Sequence, residues 1–426
     1  MTIFVFTGSL LGAMAIGMPI AFALLLSGVA LMHYLDIFDP QIVAQNIING
    51  ADSFPLMAVP FFMLAGELMN KGGLSRRIVN VALAAVGHVK GGLGYVAILA
   101  ACVISALSGS AAADAAALSA LLVPMMVRAG HGKARSAGLI AASSVIGPII
   151  PPSIGFVIFG AIAGVSVTKL FLAGLAPGLF IACALALAWW WEVRKENIAP
   201  PPRRTGADFR RALREGLWAL MLPVIIIVGL KMGVFTPTES AVVAATYSLF
   251  VATCVYRELK PSELFAVFVS AAKTSAIVMF LVAAALVSSW LITVSDIATD
   301  LVDLLQPLID SPTLLLLAIM AVVVVVGTAM DMTPTILVLT PILMPIVEAA
   351  GIDPVYFGVL FIVNNSIGLI TPPVGTVLNV VSGVARIGMD DLIRAVWPFT
   401  LVQLAALLLM VLFPALVMWP AAILGH

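Results

Sequence analysis

Four short segments interrupt otherwise apolar sequence with residues suited to holding ions. The first is Ser108-Gly109-Ser110, inside a run of small residues at 105–117 that also carries Asp114. The second is Gly147-Pro148-Ile149-Ile150-Pro151-Pro152-Ser153. The third runs from Gly327 and Thr328 through Asp331 and Thr333 to Pro334. The fourth is Gly368-Leu369-Ile370-Thr371-Pro372-Pro373-Val374-Gly375-Thr376. Proline removes an amide donor and clashes with the preceding helical turn, and glycine permits the angles of an unwound bend. Each segment should therefore break a helix. In lipid the freed carbonyls are costly unless something binds them, and a Na⁺ held by carbonyl and hydroxyl oxygens does so. Helices that begin after such breaks aim amide donors into the gap, which favours a carboxylate. A plain proline kink accounts for any one break. Four breaks in two matched pairs point to a site for cations and an organic anion.

The elements that position these segments must lie in a membrane. Of 426 residues, 62% are hydrophobic and 10% are charged, with a mean hydropathy of +1.17. Soluble domains carry about 25% charged residues, so too little polar surface remains here to cover a water-soluble globule. Runs such as 3–32 and 170–191 exceed the roughly 20 apolar residues that cross a bilayer. Residues 3–32 lack a basic leader and a small-residue cleavage site, and read as a retained first span. Net charge is zero, which gives no bulk attraction to nucleic acid. Cys102, Cys183 and Cys254 lie in or beside apolar spans without ligand spacing, against metal or disulfide chemistry.

Charge sets the expected path through the bilayer. Residues 192–215 hold Arg194, Lys195, Arg203, Arg204, Arg210, Arg211 and Arg214 and read as a cytoplasmic linker, since Lys and Arg collect on that side. Basic loops also occur at 71–77, 128–135, 257–260 and 386–394. The stretch 295–310 carries Asp296, Asp300, Asp303 and Asp310 with no Lys or Arg, and belongs outside. These placements fit one path if 91–128 dips in from the cytoplasm and 311–351 from the periplasm. Two ordinary spans in each place give the same sidedness. The N-terminus is then cytoplasmic and the C-terminus periplasmic.

The chain also repeats itself. Residues 143–155 (SSVIGPIIPPSIG) match 364–376 (NNSIGLITPPVGT) at an offset of 221, which Pro177 and Pro398 keep. Upstream, 109–124 parallels 327–341, with Asp114 and Asp331 offset by 217. The expected fold is an all-α polytopic membrane protein of two inverted repeats, each with a re-entrant helical hairpin and a broken transmembrane helix. Residues 1–58 form an N-terminal scaffold span and loop. The first repeat covers 59–191, with hairpin 91–128 and broken helix 134–165. The linker 192–215 and scaffold spans at 216–270 follow. The second repeat covers 271–419, with hairpin 311–351 and broken helix 355–385. Inverted repeats with interrupted segments near the midplane are a signature of secondary transporters. Gly, Pro-Pro and Asp recurring in order argue against chance similarity.

Some polar residues have two readings. A charge near the midplane is costly and usually functional, which makes Asp114 and Asp331 supports for the site, with Thr333 and Asn365. Thr328 and Asp331 also resemble a helix-capping pair. Ser143, Asn364 and Asn365 serve as helix-to-helix hydrogen bonds or as lining. Lys231, Glu239 and Lys273 fall near span ends, where long side chains snorkel. Residues 74–90 and 294–309 mix charges with apolar residues at helical spacing before each hairpin, as interfacial arms or solvated connectors.

At LSGSAAAD (107–114), GPIIPPS (147–153), GTAMDMTP (327–334) and NNSIGLITPPVG (364–375), the sequence resembles the large membrane (permease) subunit of tripartite ATP-independent periplasmic (TRAP) transporters, within the wider ion-transporter superfamily. The resemblance runs essentially from end to end. It implies an elevator mechanism in the bacterial inner membrane, with a transport domain sliding against a scaffold. It implies a small membrane subunit as a separate chain, a periplasmic substrate-binding protein and no cofactor beyond Na⁺ as coupling ion. One Na⁺ would sit near Ser108, Gly109, Ser110, Gly147, Pro148, Pro151, Pro152 and Ser153. The second would sit near Gly327, Thr328, Gly368, Thr371, Pro372, Pro373, Gly375 and Thr376. The implied cargo is an organic acid such as a C4-dicarboxylate, sialic acid or sugar acid, chosen largely by the binding protein.

Other classes fit less well. A serine protease needs a base, yet His33, His88, His131 and His426 fall in loops or at the terminus. An aspartyl protease would use Asp114 and Asp331, whose small-residue surroundings repeat as helix breaks do. Gly132-Lys133 is followed by Ala134 and lacks the upstream glycine of a P-loop, against direct ATP drive. The alternative within the superfamily is a self-sufficient Na⁺/carboxylate symporter, which would transport without a binding protein.

Overall fold

A computed structural model describes residues 2–194, 198, 205–295, 302 and 305–424, without the side chains of 3, 105–108 and 420–424. Among the described residues there is no strand. The apolar run at 3–32 is not one span. It forms α1 (Thr2–Ala15) and α2 (Ile20–Tyr34), which pack on each other. Gly17, at φ +83, and Pro19, at the start of α2, break it. Where a loop was expected, α3 (Pro40–Ala51) forms. The Asp39 carboxylate accepts a hydrogen bond from the Gln41 amide at 2.7 Å, and Pro40 opens the first turn. A short 3₁₀ turn, Phe54–Met57, runs on into α4 (Ala58–Lys71), and this segment is bent by 55° from α3.

The next helices are α5 (Leu74–Val86), α6 (Gly92–Ser108), α7 (Ala111–Arg128), α8 (Lys133–Ser144), α9 (Ile154–Ala163) and α10 (Val167–Val193). The expected linker is shorter than 192–215, because α11 (Gly206–Lys231) starts inside it at a capping box between Thr205 and Asp208. A second capping box, Thr236 with Glu239, opens α12 (Pro237–Phe250). α13 (Pro261–Val294) then runs 34 residues straight through the expected boundary at 270. Lys273 is exposed on this helix, just before its long apolar run at 275–294. Half of the acidic stretch 295–310, including Asp296, Asp300 and Asp303, lies outside the described residues, as does half of the arm expected at 294–309. The chain ends with α14 (Pro312–Ala329), α15 (Met332–Ala349), α16 (Pro354–Gly368), α17 (Thr376–Ala385), α18 (Met389–Leu412) and α19 (Ala415–Leu424). Eight described helices are long and apolar enough to cross a membrane, or nine if the bent pair α3–α4 is one span.

Two groupings hold the site. α2, α3 and α4 pack on α13, and α4 also packs on α12. α5 lies across α6 and α11 and is pinned at its start. Arg76 and Arg77 both reach Glu258, at 2.8 and 2.6 Å, and the Arg77 guanidinium sits 3.7 Å from the centre of the Tyr256 ring. Burial pushes the Tyr256 phenol up, and its hydroxyl donates to the Glu215 carbonyl at 2.9 Å. In the other grouping, helices exchange partners between the halves of the chain. α7 packs on α17, α15 on α9, α8 on α18 and α10 on α16. α8 and α18 come so close at Gly138 that a Cβ there would lie 2.8 Å from the Ala395 backbone. Four residues along α8, the Gln403 amide donates across the same seam to the Ala142 carbonyl at 2.9 Å.

Candidate functional site

Each hairpin tip sits on one of the broken helices. α6 and α7 meet at Gly109, whose φ of +60 lets the chain turn sharply, and at Ser110. Ser110 is the N-cap of α7, and its hydroxyl accepts from the Ala113 amide at 3.4 Å. The bare face of Gly109 lies against the first break: a Cβ would be 3.1 Å from the Ile154 amide nitrogen and 3.6 Å from the Pro152 carbonyl oxygen. The Ser108 side chain lies outside the described residues.

The first break separates α8 from α9 across residues 145–153, all of them buried. Its backbone turns through Pro148 to a cis Pro151–Pro152 bond, with Gly147 inside the first turn. Ser153 then caps α9, its hydroxyl donating to the Pro148 carbonyl and accepting from the Phe156 amide. The second break, between α16 and α17, also holds a cis bond, at Pro372–Pro373. Here Thr371 donates to the Ile367 carbonyl at 2.8 Å, and Gly375, at φ +50, turns the chain into α17 at Thr376.

The second tip meets this break more tightly. A Cβ on Gly368 would lie 2.8 Å from the Gly327 Cα, so the α14 and α16 backbones touch. The Gly375 amide donates to the Thr328 carbonyl at 3.4 Å. Asn365 donates to the Met332 carbonyl at 3.1 Å, while its fully buried Oδ1 has no hydrogen-bond partner. That oxygen lies 3.3 Å from where a Gly327 Cβ would be. A buried acceptor with no donor, beside carbonyls freed by a helix break, is suited to a hard cation.

The matched positions differ from the expected ones. α7 and α15 start 221 residues apart, at Ala111 and Met332, as α8 and α16 do at Lys133 and Pro354. Ser110 therefore corresponds to Asp331, the N-cap of α15, and not to Thr328. Thr328 lies in the last turn of α14, where its hydroxyl donates to the Val325 carbonyl at 2.7 Å. The offset of 217 fails because it aligned two aspartates by identity. Asp114 is buried in the first turn of α7, whereas Asp331 is an exposed cap whose Oδ1 accepts from Thr376 at 3.4 Å. The capping pair expected of Thr328 and Asp331 does not form, since Asp331 makes no side-chain cap bond. Thr333 lies partly buried in the first turn of α15.

Contacts chain the four segments together. Gly109 abuts Ile154, Gly155 abuts the Met332 side chain, and Asp331 meets Thr376. A cavity of about 110 Å³ lies beside the first tip, between Ser110 and Ile154 on one wall and Glu67, Asn70 and Thr274 on the other. It meets, at Asn70 and Ala113, a crevice of about 450 Å³ that opens beside Ser75 and Arg76. Glu67, Asn70 and Thr274 were missed in the sequence because they lie far from any break. Asn364 is structural on one side at least, donating to the Met320 carbonyl at 2.6 Å, and the Ser143 hydroxyl donates within its own helix to Leu139. Among the described residues, no group of three or more His, Cys, Asp or Glu side chains is placed to hold a metal.

Comparison with known proteins gives a consistent picture. Residues 7–416 match the family model "Tripartite ATP-independent periplasmic transporter, DctM component". The chain is 56% identical over 420 residues to the 2,3-diketo-L-gulonate TRAP transporter large permease protein of Escherichia coli K12, covering 99% of each. It is 37% identical to the sialic acid TRAP transporter large permease protein of Vibrio cholerae, covering 98% of each. The fold is similar to that of the Alcanivorax borkumensis YdaH transporter, with a TM-score of 0.67, 17% identity and coverage of 92% and 90%.

Proposed function

The chain belongs to the DctM-component family of tripartite ATP-independent periplasmic transporters, and on that premise we propose that it imports an organic acid by Na⁺-coupled symport. As a large permease protein it is a multi-pass protein of the inner membrane. The observation that carries the Na⁺ reading is the closure of each hairpin tip onto a broken helix. At the second tip this closure leaves the buried Asn365 Oδ1 without a donor beside Gly327 and Gly368. One ion site then uses the carbonyls and hydroxyls around Gly109, Ser110 and Pro151–Ser153. The other uses the carbonyls around Gly327, Thr328 and Gly368–Thr376, with the Asn365 Oδ1.

The cargo carboxylate is drawn to the helix starts at Ser110, Ser153 and Gly375. Identity to the diketogulonate permease makes 2,3-diketo-L-gulonate the first acid to assay. A periplasmic binding protein delivers it, and a small membrane subunit completes the permease. The isethionate relative, of which this chain covers 64%, is named as a DctMQ permease and supports such pairing. The N-terminus is placed in the cytoplasm and the C-terminus in the periplasm, following the Lys and Arg asymmetry.

Proteoliposomes containing the permease with its small subunit, supplied with loaded binding protein, test the reading. Accumulation should require an inward Na⁺ gradient. Equal uptake in Na⁺-free buffer under a proton gradient would overturn it.

A further inference from the structure

A groove of about 840 Å³ runs along the seam between α6 and α10, from Tyr95 to Val103 on one wall and from Leu179 to Trp190 on the other. Its lining is apolar except at one end. The two helices share that end, because the Trp189 indole donates to the Gly91 carbonyl at 2.8 Å. Lys90 stands there, exposed and without a carboxylate partner among the described residues. Arg194 stands there too, its guanidinium 3.7 Å from the centre of the Trp190 ring.

The dimensions favour one occupant. The α10 wall is about 16 Å long at 1.5 Å per residue, close to half of the roughly 30 Å hydrocarbon core. A transmembrane helix from a partner needs the whole core and would overrun the groove. An acyl chain of one leaflet matches it. Basic groups at the end of a cleft between transmembrane helices, with a tryptophan at headgroup level, suit an anionic lipid. We infer that this groove binds one anionic phospholipid, its chain between α6 and α10 and its headgroup between Lys90 and Arg194. The lipid would brace α6, the first helix of the hairpin that carries Gly109, against α10.

Native mass spectrometry of the full-length protein, titrated with phosphatidylglycerol or phosphatidylcholine of identical chains, tests this. Phosphatidylglycerol should be retained more strongly than phosphatidylcholine. Lys90→Gln with Arg194→Gln should weaken phosphatidylglycerol retention roughly 30-fold, from about two cation contacts, and leave phosphatidylcholine unchanged. Ala186→Phe, which fills the groove midway, should lower retention of both lipids. Equal retention of the two lipids by the unmodified protein would overturn the proposal. So would undiminished phosphatidylglycerol binding by the double variant, or a photo-crosslinker at Leu179 that captures the small subunit in place of lipid.

Discussion

Replacing Gly368 with alanine measures how closely the second hairpin tip must approach its broken helix. The added Cβ would lie 2.8 Å from the Gly327 Cα, 2.9 Å from its carbonyl carbon and 3.1 Å from its carbonyl oxygen. All three are backbone atoms, so no rotamer relieves the clash. Ordinary carbon contacts lie near 3.5 Å, so α14 and α16 must part by about 0.7 Å. Overpacking of this kind costs about 1–3 kcal/mol. Cation–oxygen distances are short, about 2.3–2.6 Å for Ca²⁺, and a gap of that size takes a ligand out of reach. The cost therefore falls on the closed, ion-bound arrangement. The Na⁺ concentration for half-maximal uptake should rise roughly 5- to 150-fold. Uptake is measured in proteoliposomes with the small subunit and binding protein, at matched permease content. Gly383→Ala is the control, since nothing lies within 4 Å of its Cβ position, and it should transport normally. Unchanged Na⁺ dependence in well-incorporated Gly368→Ala would refute a site formed by this contact.

Three further outcomes follow from the same geometry. Asn365→Leu removes the unpartnered acceptor and the bond to Met332, and should raise the Na⁺ requirement at least about 5-fold in the same assay. Ser110→Ala should lower the thermal unfolding midpoint through loss of a cap worth about 1 kcal/mol, whereas Thr328→Val should change Na⁺ dependence little, because that hydroxyl is satisfied within α14. A larger change of Na⁺ dependence in Thr328→Val than in Ser110→Ala would argue against the match of Ser110 with Asp331. In a background lacking Cys102, Cys183 and Cys254, Thr205→Cys and Ser311→Cys should react with an impermeant maleimide from opposite faces of the membrane, and labelling of both from one face contradicts the proposed sidedness.

The helix breaks were legible because glycine and proline act through backbone geometry that the residue alone dictates. Pro151-Pro152 and Pro372-Pro373 both fall between helices. The break inside 3–32 was hidden because one glycine and one proline hardly alter the hydropathy of thirty residues. The pairing of Asp114 with Asp331 failed for a chemical reason. A serine in one half and an aspartate in the other occupy the same cap, so identity misled where role would not. The contact of Gly327 with Gly368, and the unpartnered oxygen of Asn365, require two segments some forty residues apart to meet. Nothing local announces them. The clamp of Glu258 on Arg76 and Arg77 is of the same kind, bridging 182 and 181 positions.

The exchange of helices between halves has a bearing on how the chain can be divided. α7 rests on α17 and α15 rests on α9, so either half alone would leave a buried face of each hairpin and each broken helix uncovered. Each half supplies the surface the other lacks, and a single polypeptide holds the two at equal stoichiometry. Halves made as separate polypeptides, cut between α10 and α11, should be degraded singly and recover transport only when produced together.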